Sequence, residues 1–146
     1  MTLIVAPLVL SLTLAAGLEQ TKPDFSGKWT KIPTAPGEAV ETMTISQTAD
    51  TLTVEEQSRS GVIRWVHKLD GSESKNVMKQ ANPPTESVQV STTTWDGDSL
   101  VTRTPAPPFV LTNVTRLEGA TLVIQVTKTS EATGEVQSRQ TFRYSK

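Results

Sequence analysis

The stretch Asp24-Phe25-Ser26-Gly27-Lys28-Trp29-Thr30-Lys31-Ile32 decides how the chain is read. Side chains alternate between the faces of an extended strand, so Phe25, Gly27, Trp29 and Lys31 share one face. Ser26, Lys28, Thr30 and Ile32 share the other. A large apolar anchor thus looks into a core, and the residue two positions before it has no side chain. Glycine inside a strand marks a bend or a close approach of another backbone, which suits a first strand that curves into the wall of a barrel.

Outward from this strand, nearly every segment alternates with period two and is bounded by turn residues, and none sustains helical spacing. Residues 41–48 carry Met43 and Ile45 on one face, and residues 51–58 carry Leu52 and Val54, with Glu56 continuing that face. Residues 62–69 place His67 among Ile63, Trp65 and Leu69. Asp70-Gly71 and Asp96-Gly97 are strong hairpin signals, because both residue types tolerate positive φ. Residues 72–80 are the weakest run and predict a short or partly solvated strand. After Asn82-Pro83-Pro84 a Thr-rich strand covers 86–95, with Val88 and Val90 on one face, followed by 99–104 and a break at Pro105-Ala106-Pro107-Pro108. Strands over 109–117, 120–129 and 135–144 complete the chain. Short turns force sequential neighbours to pair antiparallel, giving an up-and-down meander of about eight to ten strands. Closing into a barrel removes both edges of such a sheet, so an all-β barrel is expected, with a two-sheet sandwich as its rival.

The 146 residues suffice for one domain with a sizeable core, placed at 24–146. Residues 1–17 carry no charge, run through Leu3-Ile4-Val5-Ala6-Pro7-Leu8-Val9-Leu10 and end in small residues, which reads as a secretory signal peptide although basic residues in front of it are missing. The mature chain is therefore expected to be secreted or periplasmic, monomeric, and without stable membrane insertion. The net charge of −1 argues against nucleic acid or an anionic membrane as partner. Absence of Cys excludes disulfides, thiolate metal sites and Cys nucleophiles.

Read together, Gly27-Lys28-Trp29, the turn segment Thr94-Trp95-Asp96-Gly97-Asp98-Ser99-Leu100, the run Leu117-Glu118-Gly119-Ala120-Thr121-Leu122 and the ending Phe142-Arg143-Tyr144-Ser145-Lys146 resemble the calycin superfamily. That superfamily comprises lipocalins, fatty-acid-binding proteins and exported bacterial lipocalin-like barrels. The resemblance implies a β-barrel with a cavity for a small apolar molecule, closed at one end by Trp29 under a basic side chain from the last strand. Arg139 and Arg143 are the candidates for that cover, with Gly27 and Trp29 beneath, although both arginines alternate onto the face opposite Phe142 and Tyr144. The chain departs from fatty-acid-binding proteins in two ways. Only residues 33–40 are available where those proteins insert a helical lid, and Phe142 stands where they carry a carboxylate-binding Arg two residues before a Tyr.

Polar residues on inner faces must find partners in each other, in water or in a ligand. If a ligand enters, Trp65, Leu111, Ile124 and Phe142 would wall it, and Glu56, His67, Asn113 or Gln140 would orient its polar end. His67 is the single His, so no metal site and no cofactor are expected. No Gly-x-Ser-x-Gly elbow presents a nucleophile to it. Asp96-Gly97-Asp98 lacks the later oxygen ligands of a calcium loop and reads as a hairpin turn. The leading expectation is an exported carrier of a small lipid-like molecule. The alternatives are a structural or interaction barrel with a filled interior, and a hydrolase or isomerase that uses the cavity.

Overall fold

The computed structural model describes residues 21–58, 61–81 and 84–146. The signal peptide expected at 1–17 lies outside the described residues, as does the Asn82-Pro83 pair. Ten strands follow one another: β1 (Gly27–Lys31), β2 (Thr42–Gln47), β3 (Thr51–Ser58), β4 (Gly61–Lys68), β5 (Glu73–Ala81), β6 (Pro84–Asp96), β7 (Ser99–Ala106), β8 (Phe109–Glu118), β9 (Thr121–Ser130) and β10 (Val136–Ser145). They form one sheet in the order β4-β3-β2-β1-β10-β9-β8-β7-β6-β5. Every pairing in it is antiparallel. The two ends of the chain meet where Thr30 pairs Ser145 and Lys31 pairs Tyr144, so the meander closes on itself as a barrel and not as a sandwich. No helix among the described residues is long and apolar enough to cross a membrane.

The free edges fall in mid-chain, between β4 and β5. Asp70-Gly71 does not make the hairpin that its residues predict. The Asp70 carboxylate instead accepts from the N–H and hydroxyl of Ser72, at 2.9 and 2.6 Å, and the Gly71 N–H donates across to the Thr93 carbonyl at 3.0 Å. The turn is thereby tied to β6, and β5 leaves beside β6 without laddering onto β4. Side chains bridge the seam: Asn76 bonds both backbone groups of Val66, and Ser74 Oγ accepts from the Lys68 N–H at 2.8 Å. Strand β5 is nine residues long, not short, because its inward positions Ser74 and Asn76 are polar groups with seam partners.

Two prolines sit inside strands that were expected to stop short of them. Pro84 opens β6, and Pro105 pairs Val110 of β8. Pairing of β7 with β6 has already ended at Arg103 and Thr92, so the N–H that Pro105 lacks falls on a free side of the strand.

The core gathers at one end of the barrel. Phe25, Trp29, Met43, Ile45, Leu52, Leu69, Leu100 and Leu122 are buried together there. Phe25 stacks on Trp95 with ring centres 5.9 Å apart, and the Trp29 indole N–H donates to the Phe25 carbonyl at 2.9 Å, so the buried ring keeps its polar edge satisfied. Lys146, and neither Arg139 nor Arg143, lies over Trp29, with its Nζ 4.9 Å from the ring. Arg143 alternates to the outside, where it donates to Glu118 at 2.6 Å, and Arg139 is exposed.

Candidate functional site

The core does not fill the barrel. Along β6, β7 and β8 the inward positions turn polar: Gln89 and Ser91, then Thr102 and Thr104, then Asn113 and Thr115. On β6 this reverses what the apolar pattern favours, since Val88 faces solvent while Ser91 and Thr93 are buried. The Thr93 and Thr102 hydroxyls bond each other at 2.8 Å, so these inner polar groups partly satisfy one another. The result is a cavity of about 210 Å³. Its apolar wall is Met43, Ile45, Leu52, Val54, Trp65 and Ile124, and Glu56 and His67 complete the lining from β3 and β4. A second depression, over Arg103, Pro105 and Val110, lies on the outer face of the sheet.

Glu56, Trp65, His67, Asn113 and Ile124, expected from the sequence to meet a ligand, are brought together in this lining. Leu111, Gln140 and Phe142 are not part of it. Leu111 is half-buried one inward step beyond Asn113, and Phe142 is half-buried with Lys31 Nζ 5.3 Å from its ring. Gln140 is exposed and pairs with Val126. The reason is the shortness of β1, which contacts only the last residues of β10 and leaves the earlier part of that strand without an inner neighbour. Gln89, Ser91, Thr102, Thr104 and Thr115 were missed. Their signal was the period-two alternation itself, which singles them out once the Val-bearing face of β6 is placed outside.

The electrostatics are lopsided. Glu56 reaches solvent through the open mouth, yet the protein around it and the nearby Glu41 carboxylate push its pKa up, against a hydrogen bond from Trp65 that pulls it down. Burial lowers the pKa of His67, whose Nδ1 is 3.3 Å from Ser91 Oγ. Burial, together with Glu56 and Glu41, raises Tyr144. At the mouth Lys31 Nζ sits 2.7 Å from Glu38 and 3.4 Å from Glu41. Glu38, held down to about 2 by Lys31 and by the Thr34 N–H and hydroxyl, ties the segment 33–41 to the end of β1. Asn113 Oδ1 is buried and has no hydrogen-bond partner among the described residues.

Ser91 touches the imidazole, and burial weakens it as a base. Among the described residues no group of three or more His, Asp or Glu could hold a metal ion.

No protein-family model and no curated protein matches the chain. Among solved structures it is similar to fatty-acid-binding protein 1 of Echinococcus granulosus, with a TM-score of 0.59 and 16% identity over 84% of this chain and 96% of that one. It is also similar to the zebrafish ileal bile acid-binding protein complexed with cholic acid, with a TM-score of 0.57 and 16% identity over 84% of this chain and 98% of the other. The likeness is one of fold, a calycin-type barrel.

Proposed function

We propose that the protein binds a small apolar molecule inside its barrel, and that it does so as an exported carrier. The observation that carries the binding reading is the unfilled middle of the barrel, a cavity of about 210 Å³ with an apolar wall on one side and polar side chains on the other. A barrel that worked through its outer surface alone would gain stability from filling that space with side chains. The fatty-acid-binding and bile acid-binding proteins of similar fold support the same reading. The uncharged apolar run at the N-terminus supports export.

Thermal unfolding with and without toluene tests the binding. A ligand present at a hundredfold excess over Kd stabilises the folded state by about 2.7 kcal/mol, which moves the midpoint by several degrees. Ile124→Trp, which fills the cavity from β9, is expected to abolish the shift. No shift in the parent chain would place the function on the outer surface. N-terminal sequencing of the secreted protein tests export, with a start shortly after Gly17 expected.

A further inference from the structure

We infer that the cavity selects a small ring-bearing amine over a carboxylate of the same shape. The inference rests on the binding proposed above and goes further, to the chemistry of the ligand's head.

The lining contains no lysine or arginine among the described residues, and its ionisable members are Glu56 and His67. A carboxylate brought inside would meet no cation and would lie beside a carboxylate already there. Burying an unpaired charge is among the costliest steps a protein can take. The lysines toward the mouth do not supply the missing charge. Lys31 is held between Glu38 and Glu41, and Lys128 lies over the Phe109 ring with its Nζ 3.9 Å from the centre.

What the cavity offers in place of a cation is a carboxylate. Glu56, on β3, lies in the lining with the negative charge of Glu41 nearby, whose effect is to disfavour its ionised form. The Ser91 and Thr102 hydroxyls, which could donate to an anion, are engaged with His67 and Thr93. A protonated amine brings a positive charge and donors to the Glu56 carboxylate, a neutral alcohol brings a donor and no charge, and an anion adds a second negative charge beside it.

Size narrows the class further. A cavity of about 150 Å³ holds benzene, and drug-sized ligands occupy roughly 300–1,000 Å³. At about 210 Å³ the space fits a single ring with a short polar arm, not a long acyl chain or a fused ring system.

Calorimetric titration of the full chain with toluene, benzylamine, benzyl alcohol and benzoate tests this, because the four share a ring and differ in the head. Benzylamine is expected to bind at least tenfold more tightly than benzyl alcohol, with benzoate weakest. Glu56→Gln should erase the amine's advantage, and a far-UV circular dichroism spectrum matching the parent's shows that the variant is folded. Benzoate binding as well as benzylamine, or an amine preference that survives Glu56→Gln, overturns the inference. If toluene binds and none of the polar probes does, the inference fails while the binding reading stands. If toluene also fails to bind, both fall.

Discussion

Asn76 does for Val66 what a neighbouring strand would do: its Oδ1 accepts from the Val66 N–H at 2.8 Å and its Nδ2 donates to the Val66 carbonyl at 3.1 Å. One amide side chain thus closes the barrel where β4 and β5 fail to pair. Asn76→Ala leaves both backbone groups of Val66 without that partner. The expected cost is about 2–3 kcal/mol, from the ~1–3 kcal/mol attached to an unsatisfied buried group. Asn76→Asp keeps the acceptor, loses the donor, and should cost less. Urea unfolding measures the cost, and amide exchange at Val66 and Lys68 should accelerate. Unchanged exchange would show that the seam is held by something else.

Gly27 is fixed by backbone and by a neighbour. Its φ of 146° is one that other residues rarely adopt, and a Cβ there would lie 2.8 Å from Cε of Lys146. The lysine stem is flexible and can give way, whereas the backbone angle cannot. Gly27→Ala is therefore expected to cost about 1–3 kcal/mol, and pairing it with Lys146→Ala should recover only the smaller part. Full recovery in the double variant would assign the whole cost to the contact and none to φ.

The barrel was legible in the sequence because two independent signals agreed on it. Alternation located the strands, and short turns fixed their antiparallel order. That Trp29 looks into the core followed from the same strand reading, and its place at the closed end from the family resemblance. The seam was not legible, because Asp70-Gly71 is chemically suited to a hairpin, and nothing local tells that the Gly71 N–H will go to Thr93 on β6. The cavity was half legible. Inward residues on β3, β4, β8 and β9 came from apolar alternation, but on β6 the apolar face points outward and the polar face inward. Gln140 and Phe142 were misplaced for a different reason: alternation gives the face of a residue, not how far along the barrel the wall continues.

Leu122 and Val88 separate core from surface. Leu122 is fully buried in the closed-end cluster, and Leu122→Ala should cost about 2–5 kcal/mol through lost transfer energy and the space left behind. Val88 is 58% exposed, so Val88→Ala should stay within about 0.5 kcal/mol. Equal costs in chemical denaturation would contradict the inward and outward assignment of β6 and β9.

Gln140 lies outside the cavity lining and Thr115 within it. Gln140→Ala should leave toluene affinity unchanged, while Thr115→Trp, which projects a ring into the space, should abolish it. Heteronuclear NMR titration distinguishes the two. Loss of binding in the Gln140 variant would move the site toward the exposed part of β10.

The pH dependence of stability should carry opposed contributions from His67 and Glu56. Burial lowers the His67 pKa below its ordinary 6.5, so the unfolded chain takes up a proton at pH values where the folded chain does not. Stability rises with pH wherever the unfolded state binds more protons, so the His67 contribution is complete above about 6.5 and is lost as pH falls through that value. Glu56 behaves in reverse. Its folded pKa stands above the ordinary 4.5, chiefly through burial and also through Glu41, with Trp65 opposing, so the folded state holds the proton more strongly. Stability is thus regained as pH falls through the raised value toward 4.5. The surface carboxylates Asp24, Asp70 and Glu118, all lowered by hydrogen bonds, withdraw their support only further into acid. Urea midpoints at pH 5, 6 and 7 should therefore fall less steeply toward acid in His67→Gln than in the parent, and more steeply in Glu56→Gln. Parallel profiles for the parent and His67→Gln would mean that the imidazole is as well solvated in the barrel as in the unfolded chain, and that the cavity around it is wetter than its lining implies.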